Sequence, residues 1–114
     1  MQKQHYLTIL ILGLLLSMTN CKSGPVKTPP GWSQNVGNLT WDDATRKCKA
    51  MKMRLPTKRE WKKLYDSGIT EDWPDGFYWT SEADSYATAY GFIMEDGFFS
   101  SSLKNYNSLT HCIK

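Results

Sequence analysis

A chain of 114 residues with a formal net charge of +3 has room for one domain and is only weakly basic. This charge is too small to indicate a nucleic-acid-binding protein. Its distribution is more informative, because most basic residues lie between Arg46 and Lys63 and most acidic residues lie between Asp66 and Asp96. We therefore expect the folded domain to have one basic side and one acidic side.

The first 20 residues have the layout of a secretory signal peptide. Lys3 gives a mildly positive start, and an apolar run over residues 7–16 leads into small and polar residues. The run is about half of the roughly 20 residues that a membrane-spanning helix needs. We predict a signal peptide over residues 1–20, with an uncleaved membrane anchor as the alternative.

The end of this segment, residues 16–21 (LSMTNC), resembles the lipobox of bacterial lipoproteins. The resemblance implies that Cys21 is acylated and becomes the first residue of the mature protein. Each buried methylene of the acyl chains adds roughly 0.8 kcal/mol to membrane binding. Asn20 stands where Gly, Ala or Ser is usual before the lipidated cysteine. This departure affects the expected efficiency of signal-peptide cleavage more than the assignment to the lipoprotein class. The absence of an Asp after Cys21 favours the outer membrane, by analogy with enteric bacteria.

The chain contains three cysteines. If Cys21 carries lipid, Cys48 and Cys112 remain as a pair in an exported chain, where disulfides persist. A bridge between them would close a loop of about 65 residues and stabilise the fold by roughly 4 kcal/mol. We predict this disulfide, and the alternative is two free buried thiols.

Residues 21–36 are predicted to form a flexible tether, because Gly and Pro recur there among polar residues. The domain is then predicted to span residues 37–114. Trp32, near the end of the tether, is a candidate for a first contact with the domain.

The first predicted helix runs from about Trp41 to Met51. Thr40 can cap it, and Asp43 can complete a capping box with Thr40. Arg46 and Lys49 project away from the apolar face. That face holds Trp41, Ala44, Cys48 and Met51.

The second predicted helix is entered through Leu55 and Pro56. Pro56 cannot lie in a helix interior and favours extended geometry for Leu55. Thr57 and Glu60 have the spacing of a capping box, and Gly68 can end the helix. The inward face holds Trp61, Leu64 and Tyr65, and Arg59, Lys62 and Lys63 face outward.

After Gly68 the pattern changes to short strands separated by turn residues. Residues 73–76 (WPDG) have turn composition, and Asp96-Gly97 is a hairpin signal. Four strands are predicted: residues 77–81, residues 86–94, a strand that begins at Phe98, and residues 109–113. Loops are predicted over residues 82–85 and 103–108.

These segments, in this order, resemble the domain named after the C-terminal domain of the Legionella collagen-like protein. More distantly, they are similar to formylglycine-generating sulfatase-modifying domains and to the C-type-lectin-like fold. The resemblance covers about residues 37–114. The matching pieces are residues 39–41 with Ala44 and Cys48, Arg54-Leu55-Pro56-Thr57 with Glu60-Trp61, residues 78–82, Phe92, Gly97 and residues 110–114.

The resemblance implies a C-type-lectin-like α+β fold, in which two helices are followed by a small antiparallel sheet. It also implies one disulfide, which ties the first helix to the last strand through Cys48 and Cys112. Arg54, Trp61 and Trp79 are expected to hold the architecture rather than a ligand.

Catalysis is not expected. A bridged cysteine is not a nucleophile, and His111 is the one histidine left after removal of the signal peptide. We predict that His111 is a surface residue of the last strand, that the protein is not an enzyme, and that it holds no cofactor.

A calcium site is not expected either. The chain lacks the Glu-Pro-Asn, Gln-Pro-Asp and Trp-Asn-Asp motifs of calcium-dependent lectins. Oxygen ligands could come from Glu71-Asp72 with Asp75, or from Glu95-Asp96. Neither set has the spacing of a known calcium loop, so we predict no metal.

Two binding functions remain. The Legionella domain is associated with sulfated glycosaminoglycans, and a basic surface would form here if the two helices pack side by side, with a solvated surface as the alternative. The other hypothesis is a protein-interaction or structural element of the envelope. The candidate polyanion-binding residues are Arg46, Lys49, Arg59, Lys62 and Lys63. The candidate aromatic contact residues are Trp73, Tyr78, Phe98 and Phe99, which could instead be core.

Overall fold

The computed structural model describes residues 26–114. The predicted signal peptide, Cys21 and the first residues of the predicted tether lie outside this range. Within residues 26–114, no helix has the length and apolar character needed to cross a membrane.

The first helix, α1, spans Trp41–Ala50. Its start is set by Thr40, whose Oγ1 accepts a hydrogen bond from the Asp43 N–H at 3.3 Å. The Asp43 carboxylate pairs with Arg46 on the same helix, so only half of the predicted capping box forms. Met51 follows the last helical turn and is exposed, although it was predicted on the apolar face.

The second helix, α2, spans Lys58–Asp66. The predicted capping box is confirmed: Thr57 Oγ1 accepts from the Glu60 N–H at 3.1 Å, and Glu60 Oε1 accepts from the Thr57 N–H at 2.8 Å. Pro56 before it is buried, and its carbonyl accepts from a strand. Gly68 follows the helix with a φ of +85°, a left-handed conformation that suits glycine.

Five strands form one mixed sheet in the order β1-β5-β2-β3-β4. β5 pairs antiparallel with β1 and parallel with β2, and the other pairs are antiparallel. The α+β class is therefore confirmed, whereas the prediction of an antiparallel sheet is corrected to a mixed one. The strands are Gly37–Leu39 (β1), Phe77–Ala83 (β2), Thr88–Ile93 (β3), Phe98–Leu103 (β4) and Ser108–Thr110 (β5).

The strand boundaries differ from the predicted ones in several strands. The last strand, β5, spans Ser108–Thr110 rather than residues 109–113, because the chain leaves the ladder there and Cys112 bonds to Cys48. β1 was not predicted, because three residues with a glycine carry no clear alternation. β2 continues to Ala83 through part of the predicted loop, and an irregularity in its pairing with β3 lies between Trp79 and Ala83. β3 begins at Thr88 rather than at Tyr86, which is exposed. The hairpin at Asp96-Gly97 is confirmed.

The sheet separates two hydrophobic cores. Tyr78 and Trp79 are consecutive in β2, so their side chains point to opposite faces. Trp79 packs with Cys48 of α1, and Tyr78 packs with Trp61 of α2, so the two helices lie on opposite faces. The α1-side core contains Ala44, Cys48, Leu55, Trp79, Ala89 and Cys112. The α2-side core contains Trp61, Leu64, Trp73, Tyr78, Phe92 and Met94.

The carboxyl-terminal residues close the domain. The predicted disulfide is confirmed: Cys112 is bonded to Cys48 of α1, with the two Cα atoms 5.4 Å apart. The next residue, Ile113, exchanges two backbone hydrogen bonds with Arg54, at 2.8 and 2.7 Å, and forms a bridge to Trp32 on its other side. The end of the chain is therefore held between two segments that precede it by many residues.

Part of the predicted tether packs on the domain. The Trp32 ring lies 5.0 Å from the Trp61 ring, measured between centroids. The Trp73 indole N–H donates to the Lys27 carbonyl at 3.1 Å, and the Ser33 hydroxyl accepts from a backbone N–H near the end of the chain at 2.8 Å. The packed unit thus begins before residue 37.

Replacement of both bridge cysteines, Cys48→Ala with Cys112→Ala, is expected to lower the free energy of unfolding by about 4 kcal/mol, because the bridge joins residues 64 apart in sequence. Urea denaturation of the oxidised protein and of the variant measures the difference. Dithiothreitol should lower the urea midpoint of the wild type and leave that of the variant unchanged. Equal midpoints in all four samples would contradict the expected role of the bridge.

Candidate functional site

An ion pair between Arg54 and Glu60 joins the segment before α2 to its first turn. Two hydrogen bonds of 2.7 Å connect the guanidinium to the two carboxylate oxygens. This bonding, together with the Thr57 N–H, lowers the pKa of Glu60 to about 2, against a smaller opposing effect of burial. The same pair raises the pKa of Arg54. The side chain of Arg54 is nevertheless 50% exposed, so part of its charge reaches solvent.

Clefts lie on both sides of this ion pair. Arg54 lines a cleft of about 220 Å³ together with Lys49 of α1 and Trp41. Glu60 lines a second cleft of about 420 Å³ together with Lys63 of α2. Lys49 of α1 and Lys63 of α2 therefore line different clefts, each of which also contains one member of the ion pair.

The five predicted polyanion-binding residues are all exposed, but the helices that carry them do not pack side by side. Arg46 pairs with Asp43, and Lys62 pairs with Asp66 at 3.0 Å. These two cations are therefore partly neutralised on their own helices. The remaining cations have no ion-pair partner among residues 26–114. They are Lys49, Arg59 and Lys63.

The predicted aromatic contact patch is only partly at the surface. Trp73 and Tyr78 are buried in the α2-side core, so their assignment to an exposed patch is wrong. Phe99 is half-buried against Phe92, with ring centroids 5.1 Å apart. Phe98 is 68% exposed and remains available for contact.

His111 is buried, so the prediction of a surface strand residue is wrong. Its side chain is 2% exposed and stacks on Trp73 at 4.3 Å between centroids. Nδ1 lies 2.9 Å from the Ser33 carbonyl, which can only accept, so this nitrogen carries the proton. Burial lowers the pKa of His111, and the bond to Ser33 opposes this effect. A neutral imidazole therefore completes the aromatic cluster rather than facing a substrate.

The cysteine pair and His111, which the sequence analysis considered as possible catalytic groups, both have structural roles. Cys48 and Cys112 are joined, and His111 is enclosed. In the part of the chain that the structure describes, no group of three or more His, Cys, Asp or Glu side chains could hold a metal ion.

Sequence reasoning missed one cavity on the acidic side of the domain. It had grouped the acidic residues by adjacency, as Glu71-Asp72 with Asp75 or as Glu95-Asp96. The structure instead brings Glu71, Asp75 and Glu95 around one cavity of about 420 Å³. The signal was the hairpin register, because the pairing of β2 with β3, extended by two residues, places Asp75 opposite Glu95.

Residues 32–114 match the family described as a domain of unknown function, DUF8780, and the chain belongs to this family. The match begins at Trp32, within the part of the predicted tether that packs on the domain. A comparison with the curated proteins gave no match.

The Arg54–Glu60 pair is expected to stabilise the domain above pH 4.5 and to lose this effect as the pH falls toward 2, because the pKa of Glu60 in the folded protein is about 2, below the ordinary value of 4.5. Glu60→Gln should cost about 1 kcal/mol at neutral pH, since solvent screens the half-exposed partner. Urea denaturation at several pH values measures this difference, which should shrink between pH 4.5 and 2. A difference that is independent of pH would contradict the assignment.

Proposed function

We propose that this member of the DUF8780 family is a non-catalytic binding domain of the bacterial cell envelope. It binds acidic polysaccharide through Lys49, Arg59 and Lys63, as an adhesion protein would. The observation that carries this proposal is that three of the five predicted polyanion-binding residues are exposed cations without an ion-pair partner among residues 26–114. Sulfated or carboxylated chains need several such cations, and their binding weakens with salt.

The clefts beside the Arg54–Glu60 pair support this assignment. Lys49 lines the same cleft as the half-exposed Arg54, and Lys63 lines the cleft of Glu60. An extended polyanion can contact cations that are spread over a surface, whereas a compact anion needs them in one pocket. The distribution of Lys49 and Lys63 over two clefts therefore favours a polymer over a small anion.

A C-type-lectin-like fold is part of the proposal. It is supported by the pairing of β1 with β5, which brings the two ends of the domain together. It is also supported by the disulfide from Cys48 of α1 to Cys112, which follows β5, and by the position of the two helices on opposite faces of the sheet.

The absence of catalysis is supported by the state of the reactive residues. A disulfide holds Cys48 and Cys112, and His111 lies inside the aromatic cluster. We therefore assign no reaction and no cofactor to the domain.

Anchoring through a lipid on Cys21, in the outer membrane, completes the proposal. Lys27 and Trp32 already contact the domain, so few residues separate Cys21 from the packed part of the chain. The five residues from Cys21 to Val26 can span at most about 18 Å. The lipid would therefore hold the domain close to the membrane surface.

Loss of the three cations of the proposed surface is expected to weaken binding to heparin, the probe for acidic polysaccharide, by about tenfold. The detergent-solubilised full chain is compared with a triple alanine variant by titration calorimetry and by the salt concentration that elutes each from a heparin column. The substituted residues are Lys49, Arg59 and Lys63.

A second triple variant keeps the net charge matched and leaves the proposed surface intact. It should retain affinity within about twofold of the wild type. An equal loss in both variants, or no retention of the wild type at low salt, would contradict the proposal. The control substitutions are Lys27→Ala, Lys47→Ala and Lys114→Ala, all at exposed positions.

Cys21→Ser is expected to abolish incorporation of labelled palmitate and to release the protein from the membrane fraction, since the acyl chains supply the anchor. Metabolic labelling and fractionation of cells measure both effects. The matched control is Cys48→Ala with Cys112→Ala, which should keep the label. Labelled palmitate on the Cys21→Ser protein would contradict the assignment.

A second candidate function is a protein-interaction element. β4 lies at one edge of the sheet, and among residues 26–114 it pairs with β3 alone, so its outer backbone groups are open to a partner. Phe98 at its start is exposed. Capture of an envelope protein that resists high salt, is lost with Phe98→Ala and persists in the Lys49, Arg59 and Lys63 variant would favour this candidate.

A further inference from the structure

The acidic cavity lies between the loop that follows α2 and the turn that ends β3. Three carboxylates line it, from Glu71, Asp75 and Glu95, and no Lys or Arg is among its lining residues. None of these carboxylates has an ion-pair partner in the part of the chain that the structure describes. The cavity therefore presents uncompensated negative charge to whatever enters it.

Hydrogen bonds hold the Glu95 carboxylate and the loop that carries Asp75 in place. Glu95 Oε1 accepts from the Gly76 N–H at 2.8 Å, which joins the turn after β3 to the loop before β2. The Tyr78 hydroxyl donates to the Pro74 carbonyl at 2.6 Å and fixes the same loop, which carries Asp75. A ligand that binds here would not have to order these segments, because they are already ordered.

The negative charge of the cavity affects the pKa of the neighbouring Tyr78. The pKa of Tyr78 is raised to about 12, first by burial and then by the charges of Asp75 and Glu95. Both carboxylates therefore act electrostatically on the interior of the domain, in addition to facing the cavity.

Thr70 provides an independent indication of a ligand. It is 5% exposed and lines the cavity. Its carbonyl accepts from the Trp73 N–H at 2.9 Å, but its hydroxyl has no hydrogen-bond partner among residues 26–114. A buried hydroxyl without a partner costs free energy unless water or a ligand satisfies it.

Apolar and aromatic atoms complete the walls. Tyr65 and Met94 line the cavity, and the Tyr65 ring packs on Phe92 with centroids 5.2 Å apart. A cation is attracted by the face of a tyrosine ring, and a methylene stem can cover Met94. The carboxylates do not form a metal-binding group, so they suit an extended cation better than a bare metal ion.

We propose that this cavity binds the primary ammonium group of an aliphatic amine. The carboxylates of Glu71, Asp75 and Glu95 attract the ammonium by their combined negative charge, the Thr70 hydroxyl accepts one of its hydrogens, and Tyr65 covers the aliphatic stem. The volume of about 420 Å³ is within the range of small-molecule sites. The amine is either a free polyamine or a lysine side chain, which share this chemistry.

Titration calorimetry on the detergent-solubilised full chain at low ionic strength tests the site with two probes, spermidine and N-acetyl-lysine amide. Binding of spermidine alone identifies a free polyamine, and binding of the lysine amide identifies a lysine side chain. Glu71→Gln with Asp75→Asn should weaken binding by about tenfold. The control, Asp42→Asn with Asp72→Asn, makes the same change in net charge outside the cavity and should stay within about twofold.

Thr70→Val separates a ligand contact from a structural role. Valine has nearly the same shape and removes the unpaired hydroxyl, so the urea midpoint should stay equal or rise while amine binding weakens about fivefold. A lower midpoint with unchanged binding would overturn the role of Thr70. No heat with either amine, an equal loss in the control variant, or displacement of both amines by Ca²⁺ at lower concentration would overturn the site.

Discussion

The insertion of the carboxyl-terminal segment, residues 108–113, is the constraint on which the rest of the structure depends. β5 lies between β1 and β2, so without it the sheet divides into two parts. The segment then contributes His111 to the aromatic cluster, Cys112 to the bridge with α1, and Ile113 to the backbone contacts with Trp32 and Arg54. Because consecutive side chains alternate in direction, one short segment can serve both faces of the sheet.

This closure explains why the charged surfaces lie where they do. Both helices pack their apolar faces on the sheet, so the basic residues between Arg46 and Lys63 remain outside. Six of the eleven acidic residues lie in the loop from α2 to β2 or in the connections between β2, β3 and β4. Pairing of β2 with β3 draws two of those loops together and converts a diffuse acidic sequence into one cavity lined by Glu71, Asp75 and Glu95. The proposed polysaccharide surface and the proposed amine site therefore use different elements and different charges.

Features that depend on neighbouring residues were predicted well. The capping box of α2, the hairpin at Asp96-Gly97 and the apolar faces of the helices all follow from contacts within a few residues. β1 was missed because its strand state depends on pairing with β5, about 70 residues away. The parallel contact of β5 with β2 was missed for the same reason. The half-formed capping box of α1 shows that even a local pattern can lose its carboxylate to another partner, here Arg46.

The sequence by itself determined the α+β class and both helices, because capping residues and periodicity act locally. It predicted the pairing of Cys48 with Cys112 on the condition that Cys21 carries lipid. Only the tertiary structure decided that the helices lie on opposite faces of the sheet and that His111 is enclosed by aromatic rings. It also decided which carboxylates meet at the cavity. These outcomes depend on how distant segments pack together in the two cores. The hydrophobic effect is not directional, so a local sequence pattern does not specify which distant segments will meet.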